Sequence, residues 1–281
     1  MINKFLDHLK IERNLSPNTI EAYRGDLTLF NQYCKDIVKA TQEDIVKFLQ
    51  SLEKYSPRTR NRIVFSTLAS FYSYLIRIGT ISINPIKGLK RAKTATNEIT
   101  ILTEEEINKI KKYVVGNDDI IKARNRLLIN ILTDTGARIS EIVNLKISDI
   151  KGNSVKILGK GNKYRTAFIS PATKRKLQAL IEEFKVYGEY ENIFINQKGQ
   201  VVSRTTAYNI IKQTADLVGL EKQVSPHIFR HTFATTYLSR GGTESGLREL
   251  LGWSDNKMLN IYRHISLEDL HNEYTRVMKG K

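Results

Sequence analysis

Apolar side chains recur at spacings of three and four along most of the chain, and the interruptions between those runs mark out a succession of amphipathic helices. Ile2, Phe5, Leu6 and Leu9 define one face of a helix over residues 2–13. Ser16 and Pro17 punctuate the chain and open a second helix, on which Ile20, Tyr23, Leu27, Phe30 and Cys34 recur. Thr41 with Asp44 caps a third, shorter helix carrying Ile45, Phe48, Leu49 and Leu52. Ser56 and Pro57 start a fourth, which runs to about Ile78 with Leu68, Phe71 and Leu75 inward and stops at Gly79. Four such helices on short connections make a small all-helical domain, residues 1–86.

Asn84-Pro85 ends this periodicity, and KGLKRAKTATNEI follows with four cations and no apolar period, which marks residues 87–101 as an interdomain linker. Residues 102–281 form a second domain that opens on a capping box, Thr103 with Glu106, and a helix to about Tyr113. A helix over Ala123–Thr133 buries Leu127, Leu128, Ile131 and Leu132; after Gly136, Arg138 begins an amphipathic turn with Ile139, Ile142, Val143 and Leu145. SVKIL and YRTAFIS flank GKGNK as a hairpin whose Gly159 and Gly161 permit a tight turn, with Lys160 at the tip beside Lys163. Pro171 opens a helix with Leu177, Leu180, Ile181 and Phe184, NIFIN at 192–196 reads as a third strand, and Ser203 opens a helix that ends at Gly219. The remainder is helical: His227 to Arg240, TESGLRELLGW, a short helix at 256–263 and an amphipathic helix over Leu267–Met278. The fold class is therefore mainly α with a small β-sheet, an all-helical amino-terminal domain preceding an α+β domain.

Charge sharpens this picture. The chain of 281 residues has 45 Lys and Arg against 29 Asp and Glu, a net charge of +16, which favours a polyanion such as nucleic acid. The excess falls on both sides of the linker, as expected if both domains touch one polymer. Cys34 is the only cysteine, which excludes an intrachain disulfide and a cysteine-rich zinc site and fits a reducing compartment. The segment MINKFLDHLK is charged where a signal peptide needs an apolar run, and no stretch reaches the ~20 apolar residues of a membrane span, so a cytoplasmic location is expected. GKGNK lacks the spacing of a nucleotide-binding loop, and no carboxylate cluster suggests a metal.

Candidate chemistry concentrates between Ser225 and His264. His227 and Arg230 lie at i and i+3, so a helix points both at one ligand atom, and a cation beside a hydrogen-bonding ring suits a phosphate. Tyr262 would then be a nucleophile able to attack phosphorus. Other residues are less telling on local spacing. Arg138 with Glu141 reads as an ordinary surface ion pair, a lysine at a hairpin tip as a solubilising choice, and His231 as a structural hydrogen-bonding histidine. Tyr237 and Tyr274 have core-like spacing. Arg58, Arg60 and Arg62 occupy the first turns of the fourth helix, either as a solvated face or as a site where an external anion offsets their opposition to the helix dipole.

Taken in order, Arg138, the Lys160 hairpin, H-x-x-R at 227–230, LGW at 251–253 and the late Tyr262 resemble a tyrosine recombinase of the Xer type or the transposon and phage integrase type. The similarity spans nearly the whole chain, including the small helical SAM-like, core-binding domain with which that family clasps DNA. What the resemblance implies is position-specific. Arg138 and Arg230 would hold the non-bridging oxygens of the scissile phosphate, with Glu141 supporting Arg138. Lys160 would protonate the leaving 5′ oxygen, and His227 would assist proton transfer and orient the phosphate. Trp253 stands where histidine is commoner; its indole N–H donates a hydrogen bond but is neither acid nor base. Tyr262 would form a 3′-phosphotyrosyl link, and His264 fits the family's Y-x-H pattern. Independently of the resemblance, the basic character of the fourth helix start, the linker and the hairpin makes Arg58, Arg60, Arg62, Lys87, Lys90, Arg91, Lys93 and Lys163 the expected DNA contacts.

The resemblance further implies a homotetramer on paired sites in double-stranded DNA, exchange through a Holliday junction, and no cofactor. An accessory protein, association with the nucleoid, and a carboxy-terminal helix packed either in cis or on a neighbouring subunit are further expectations. A type IB topoisomerase and a catalytically silent DNA-binding regulator are the alternatives.

Overall fold

The computed structural model describes residues 1–93, 100–159, 161–185, 188–253, 259 and 262. The chain divides into two compact units, Met1–Asn97 and Glu98–Lys281. Lys160, His264 and the helix expected at 267–278 lie outside the described residues, as does the segment 256–263 apart from Leu259 and Tyr262.

The first unit is built from α1 (Ile2–Ile11), α2 (Pro17–Tyr33), α3 (Gln42–Ser51), α4 (Pro57–Arg62) and α5 (Ala69–Arg77), with a π-helical segment at Ile63–Leu68 joining the last two. Capping chemistry fixes where the helices start. The Ser16 and Ser56 hydroxyls accept from Thr19 N–H and Thr59 N–H, and Thr41 with Asp44 closes a capping box. Phe5, Phe30, Phe48, Phe71 and Tyr72 pack into one core, and the Tyr72 hydroxyl donates to Ile37 O at 2.8 Å.

The single fourth helix read from periodicity is thus interrupted. Its buried positions Ile63, Thr67, Phe71 and Leu75 recur every four residues. At ~100° per residue each such step overshoots a helical turn by about 40°, so a regular α-helix would swing the series off one face. The wider π turn absorbs that drift. It also brings Thr67 Oγ1 to 2.6 Å from the buried Asp26 carboxylate, which pairs with Arg62 as well.

In the second unit α6 (Glu104–Lys112), α7 (Asp119–Thr135), the short α8 (Ile139–Val143), α9 (Pro171–Phe184), α10 (Arg204–Leu217), α11 (Pro226–Ser239) and α12 (Glu244–Leu251) surround a small antiparallel sheet. Leu127, Ile131, Ile142, Val155, Phe194 and Phe229 belong to its core. The sheet order is β1-β2-β3, with β1 at Ile150–Lys151, β2 at Ser154–Leu158 and β3 at Tyr164–Phe168. Strands β2 and β3 are the expected hairpin, and Gly161 and Asn162 take positive φ at its turn.

The third strand differs from expectation: β1 takes that place, and NIFIN joins no sheet. Ile193, Phe194 and Ile195 are all buried, so the run lacks the alternation of a strand with one open face. Its backbone is satisfied piecemeal, with Ile193 N–H donating to Leu145 O and Val202 N–H to Phe194 O. Among the described residues, no helix is long and apolar enough to cross a membrane.

Candidate active site

Three backbone devices gather the cationic residues of the second unit. Helix α7 ends on Gly136 in the left-handed conformation, with φ +57°, and a Cβ there would meet the Phe233 ring at 2.7 Å and Leu251 at 2.9 Å. Glycine is therefore demanded twice over, by conformation and by space. The chain leaves Gly136 in an extended step that makes Arg138 the N-cap of α8. Arg138 N–H donates to Glu141 Oε2, and its Nη1 donates to Glu141 Oε1, both at 2.8 Å. The second device is the N-terminal half of α11, which carries His227, Arg230 and His231; the third is the Gly252 C-cap of α12, which delivers Trp253.

The expected surface ion pair of Arg138 and Glu141 is buried on its acidic side. The Glu141 side chain is 6 % exposed and receives a second cation from β3, Arg165 Nη2 at 2.7 Å. Burial pushes the Glu141 pKa up, but Arg165 and then Arg138 outweigh it and hold the carboxyl below its ordinary value. Arg165 Nε donates to Leu250 O at 2.8 Å, while its Nη1 is buried without a hydrogen-bond partner among the described residues. Arg165 thereby links the hairpin, α8 and the end of α12. Sequence spacing missed it because its carboxylate lies 24 residues away.

Arg230 is 6 % exposed and held by carbonyls: its Nη1 donates to Gly136 O at 2.9 Å and its Nη2 to Leu251 O at 2.7 Å. Burial, and after it the nearby Arg138 charge, pulls its pKa down to about 10, so it remains a cation at neutral pH. Its guanidinium carbon sits 5.5 Å from the centre of the Trp253 ring. That indole stacks on Tyr262, with centroids 5.6 Å apart and planes at 18°. Burial raises the Tyr262 phenol to about 12 despite the opposing pull of Arg230. The exposed His227 has its pKa lowered, first by the partial burial of its ring and then by Arg230 and Arg138.

His231, expected as a structural residue, touches the candidate nucleophile. Its Nδ1 lies 2.5 Å from the Tyr262 hydroxyl oxygen. Tyr237 packs as expected, its ring stacked near Phe233.

On the first unit, Arg58 is exposed, Arg60 is partly covered, and Arg62 reaches back to Asp26 with about half its side chain in solvent. Residues 87–93 lie on this unit rather than free of it. Asn61 on α4 donates to Ala92 O at 2.8 Å and accepts from Ala92 N–H at 3.0 Å, and Gln42 Nε2 donates to Lys87 O. Lys87, Lys90, Arg91 and Lys93 are exposed, and Arg91 stands over the Phe65 ring. Lys163 is exposed on the hairpin of the second unit.

Comparison with known proteins accords with this geometry. The profile of the phage integrase family matches residues 100–268, and that of its N-terminal SAM-like domain matches residues 2–79. The tyrosine recombinase XerC of Leptospira interrogans is 32 % identical over 284 residues, covering 97 % of this chain and 91 % of that protein. Among solved structures, the XerH site-specific recombinase bound to its difH substrate superposes with a TM-score of 0.75 at 24 % identity, over 98 % of this chain and 84 % of that one. A lambda integrase tetramer bound to a Holliday junction gives 0.75 at 19 %, over 91 % and 77 %. The chain belongs to the phage integrase family. It is a tyrosine site-specific recombinase, an enzyme that breaks and rejoins DNA strands.

Proposed function

We propose that the chain cuts and rejoins double-stranded DNA at paired recognition sites by two transesterifications, through a 3′-phosphotyrosyl intermediate and a Holliday junction, as a tetramer in the cytoplasm. The observation that carries this reading is the convergence of Arg230, Trp253 and Tyr262, with Arg138 close enough to depress the Arg230 pKa. Arg138 and Arg230 bind the non-bridging oxygens of the scissile phosphate. Negative charge grows on those oxygens in the pentacoordinate transition state, and donors fixed in advance by Glu141 and by the Gly136 and Leu251 carbonyls need not reorganise to meet it. His227 orients the phosphate, the Trp253 indole N–H donates to it, and Lys160 protonates the departing 5′ oxygen. The energy of the broken phosphodiester is retained in the phosphotyrosine, so neither ATP nor a metal is required by the chemistry.

The cations of the first unit, Arg58, Arg60 and Arg62 with Lys87, Lys90, Arg91 and Lys93, track the phosphate backbone, as does Lys163 on the second. An accessory protein and a carboxy-terminal helix exchanged between subunits belong to the same reading. Cations of this number release many counterions, so affinity for duplex DNA is expected to fall by about 10³-fold or more between 50 and 200 mM salt. Titration of labelled duplex across that range measures it, and a flat response contradicts a phosphate-tracking clamp.

Covalent trapping tests the chemistry. Nicked duplexes drawn from the DNA flanking the chain's own gene are expected to yield a protein–DNA adduct on a denaturing gel, and Tyr262→Phe to yield none while still binding. Relaxation of supercoiled plasmid lacking any specific site would instead indicate a topoisomerase. Binding without an adduct on any fragment would indicate a silent regulator.

A further inference from the structure

We propose that His231 is a catalytic residue: its Nδ1 takes the phenolic proton of Tyr262 as the tyrosine oxygen attacks phosphorus. The proposal rests on Tyr262 being the nucleophile. The H-x-x-R spacing directs attention to His227, yet among the described residues the phenol's hydrogen bond goes to the histidine that follows Arg230, 2.5 Å away. The two rings stand 5.7 Å apart and tilted by 42°, so the contact runs edgewise through Nδ1 rather than by stacking. Trp253 covers the tyrosine ring from another side and has no basic atom.

Charge favours the same assignment. Burial of the ring, then His227 and Arg230, lowers the pKa of His231, so at neutral pH it is an uncharged imidazole able to accept. With its proton on Nε2, Nδ1 receives the Tyr262 hydrogen bond. Burial keeps the phenol from ionising by itself, so the proton must leave as the bond to phosphorus forms. In the balanced step the Tyr262 Oη–P bond forms, the P–O5′ bond breaks, the phenolic proton ends on His231, and the 5′ oxygen takes the proton of Lys160. Religation reverses each transfer. The titratable and charged groups facing His231 among the described residues are Tyr262, His227 and Arg230.

The test uses the full chain and a nicked duplex that traps the adduct, followed in single turnover from pH 5 to 9. Wild type is expected to rise with pH through the His231 pKa and level off, because the neutral ring is the base. His231→Ala should form adduct about 10²-fold more slowly or worse at pH 7.5. His231→Asn places an amide oxygen near the Nδ1 position and keeps a hydrogen-bond acceptor that cannot take a proton. It should be similarly slow, with a rate that climbs with pH without levelling, and it carries the test if the alanine variant fails to bind DNA. A 5′-bridging phosphorothiolate, whose leaving group needs no proton, should rescue Lys160→Ala and leave both His231 variants slow. Wild-type rate in His231→Asn, an unchanged pH profile, or rescue of it by the phosphorothiolate would overturn the role of His231 alone. An adduct persisting in Tyr262→Phe would strike the nucleophile assignment instead.

Discussion

Replacing Arg230 by methionine is expected to slow adduct formation by about 10²- to 10³-fold while leaving the second unit nearly as stable as before. The rate effect is that of removing one preoriented donor from a developing oxyanion. The stability effect has two opposing parts. Two buried carbonyls, of Gly136 and Leu251, lose their donor, which costs about 1–3 kcal/mol each when nothing replaces it. Against this, Arg230 is a buried cation with no carboxylate in contact among the described residues, so its replacement by an apolar chain of similar length also removes the desolvation cost of burying a charge, which is several kcal/mol per ion. A guanidinium whose hydrogen bonds among the described residues go to carbonyls keeps positive charge for an arriving phosphate. Lysine should not substitute, since one ammonium cannot hold two diverging carbonyls and an anion in a fixed plane. Single-turnover trapping alongside urea unfolding separates the two quantities. Trp253, the only tryptophan, lies against Arg230 and reports unfolding of this unit by fluorescence. An adduct rate within fivefold of wild type, or a rate loss matched by loss of folded protein, would remove Arg230 from the phosphate site.

Local rules made much of this legible in the chain itself. Ser16, Thr41, Ser56, Thr103 and Ser203 cap helices where side-chain chemistry says they should. Arg138, by contrast, reads on local spacing as a surface ion pair with Glu141, and only the resemblance to a family places it beside His227, Arg230 and Tyr262. What escaped depends on contacts distant in sequence. The π turn at Ile63–Leu68 answers to a four-residue burial period that differs from an α-helix by only about 40° a step. NIFIN looks like a strand because it is continuously apolar, and it is apolar because both sides are covered. Arg165 and His231 act across separations of 24 and 31 residues, and neither shares a local motif with its partner. Their significance comes from burial, which spacing does not encode.

Glu141 makes that last point measurable. Glu141→Ala is expected to destabilise the second unit by about 3–5 kcal/mol, the cost of removing one partner from a buried ionic contact. Here a single carboxylate with 6 % exposure satisfies Arg138 and Arg165, and Arg165 is itself 8 % exposed with one nitrogen already unpartnered. Without Glu141 the Arg165 charge is stranded between the hairpin, α8 and α12. Glu141→Gln keeps the shape and isolates the charge, and its pH dependence has a defined sign. Because the folded pKa lies below the unfolded value of ~4.3, the carboxylate's contribution is fully present above that pH and is lost as pH falls through the depressed folded value. The gap between wild type and Glu141→Gln in denaturant midpoint, read by Trp253 fluorescence, should thus be wide at pH 7 and shrink below about pH 4. Activity should fall further than stability, since Arg138 loses the carboxylate that fixes both its backbone N–H and its guanidinium. A gap that is the same at pH 3 and pH 7 would mean that Glu141 acts through its shape and not its charge.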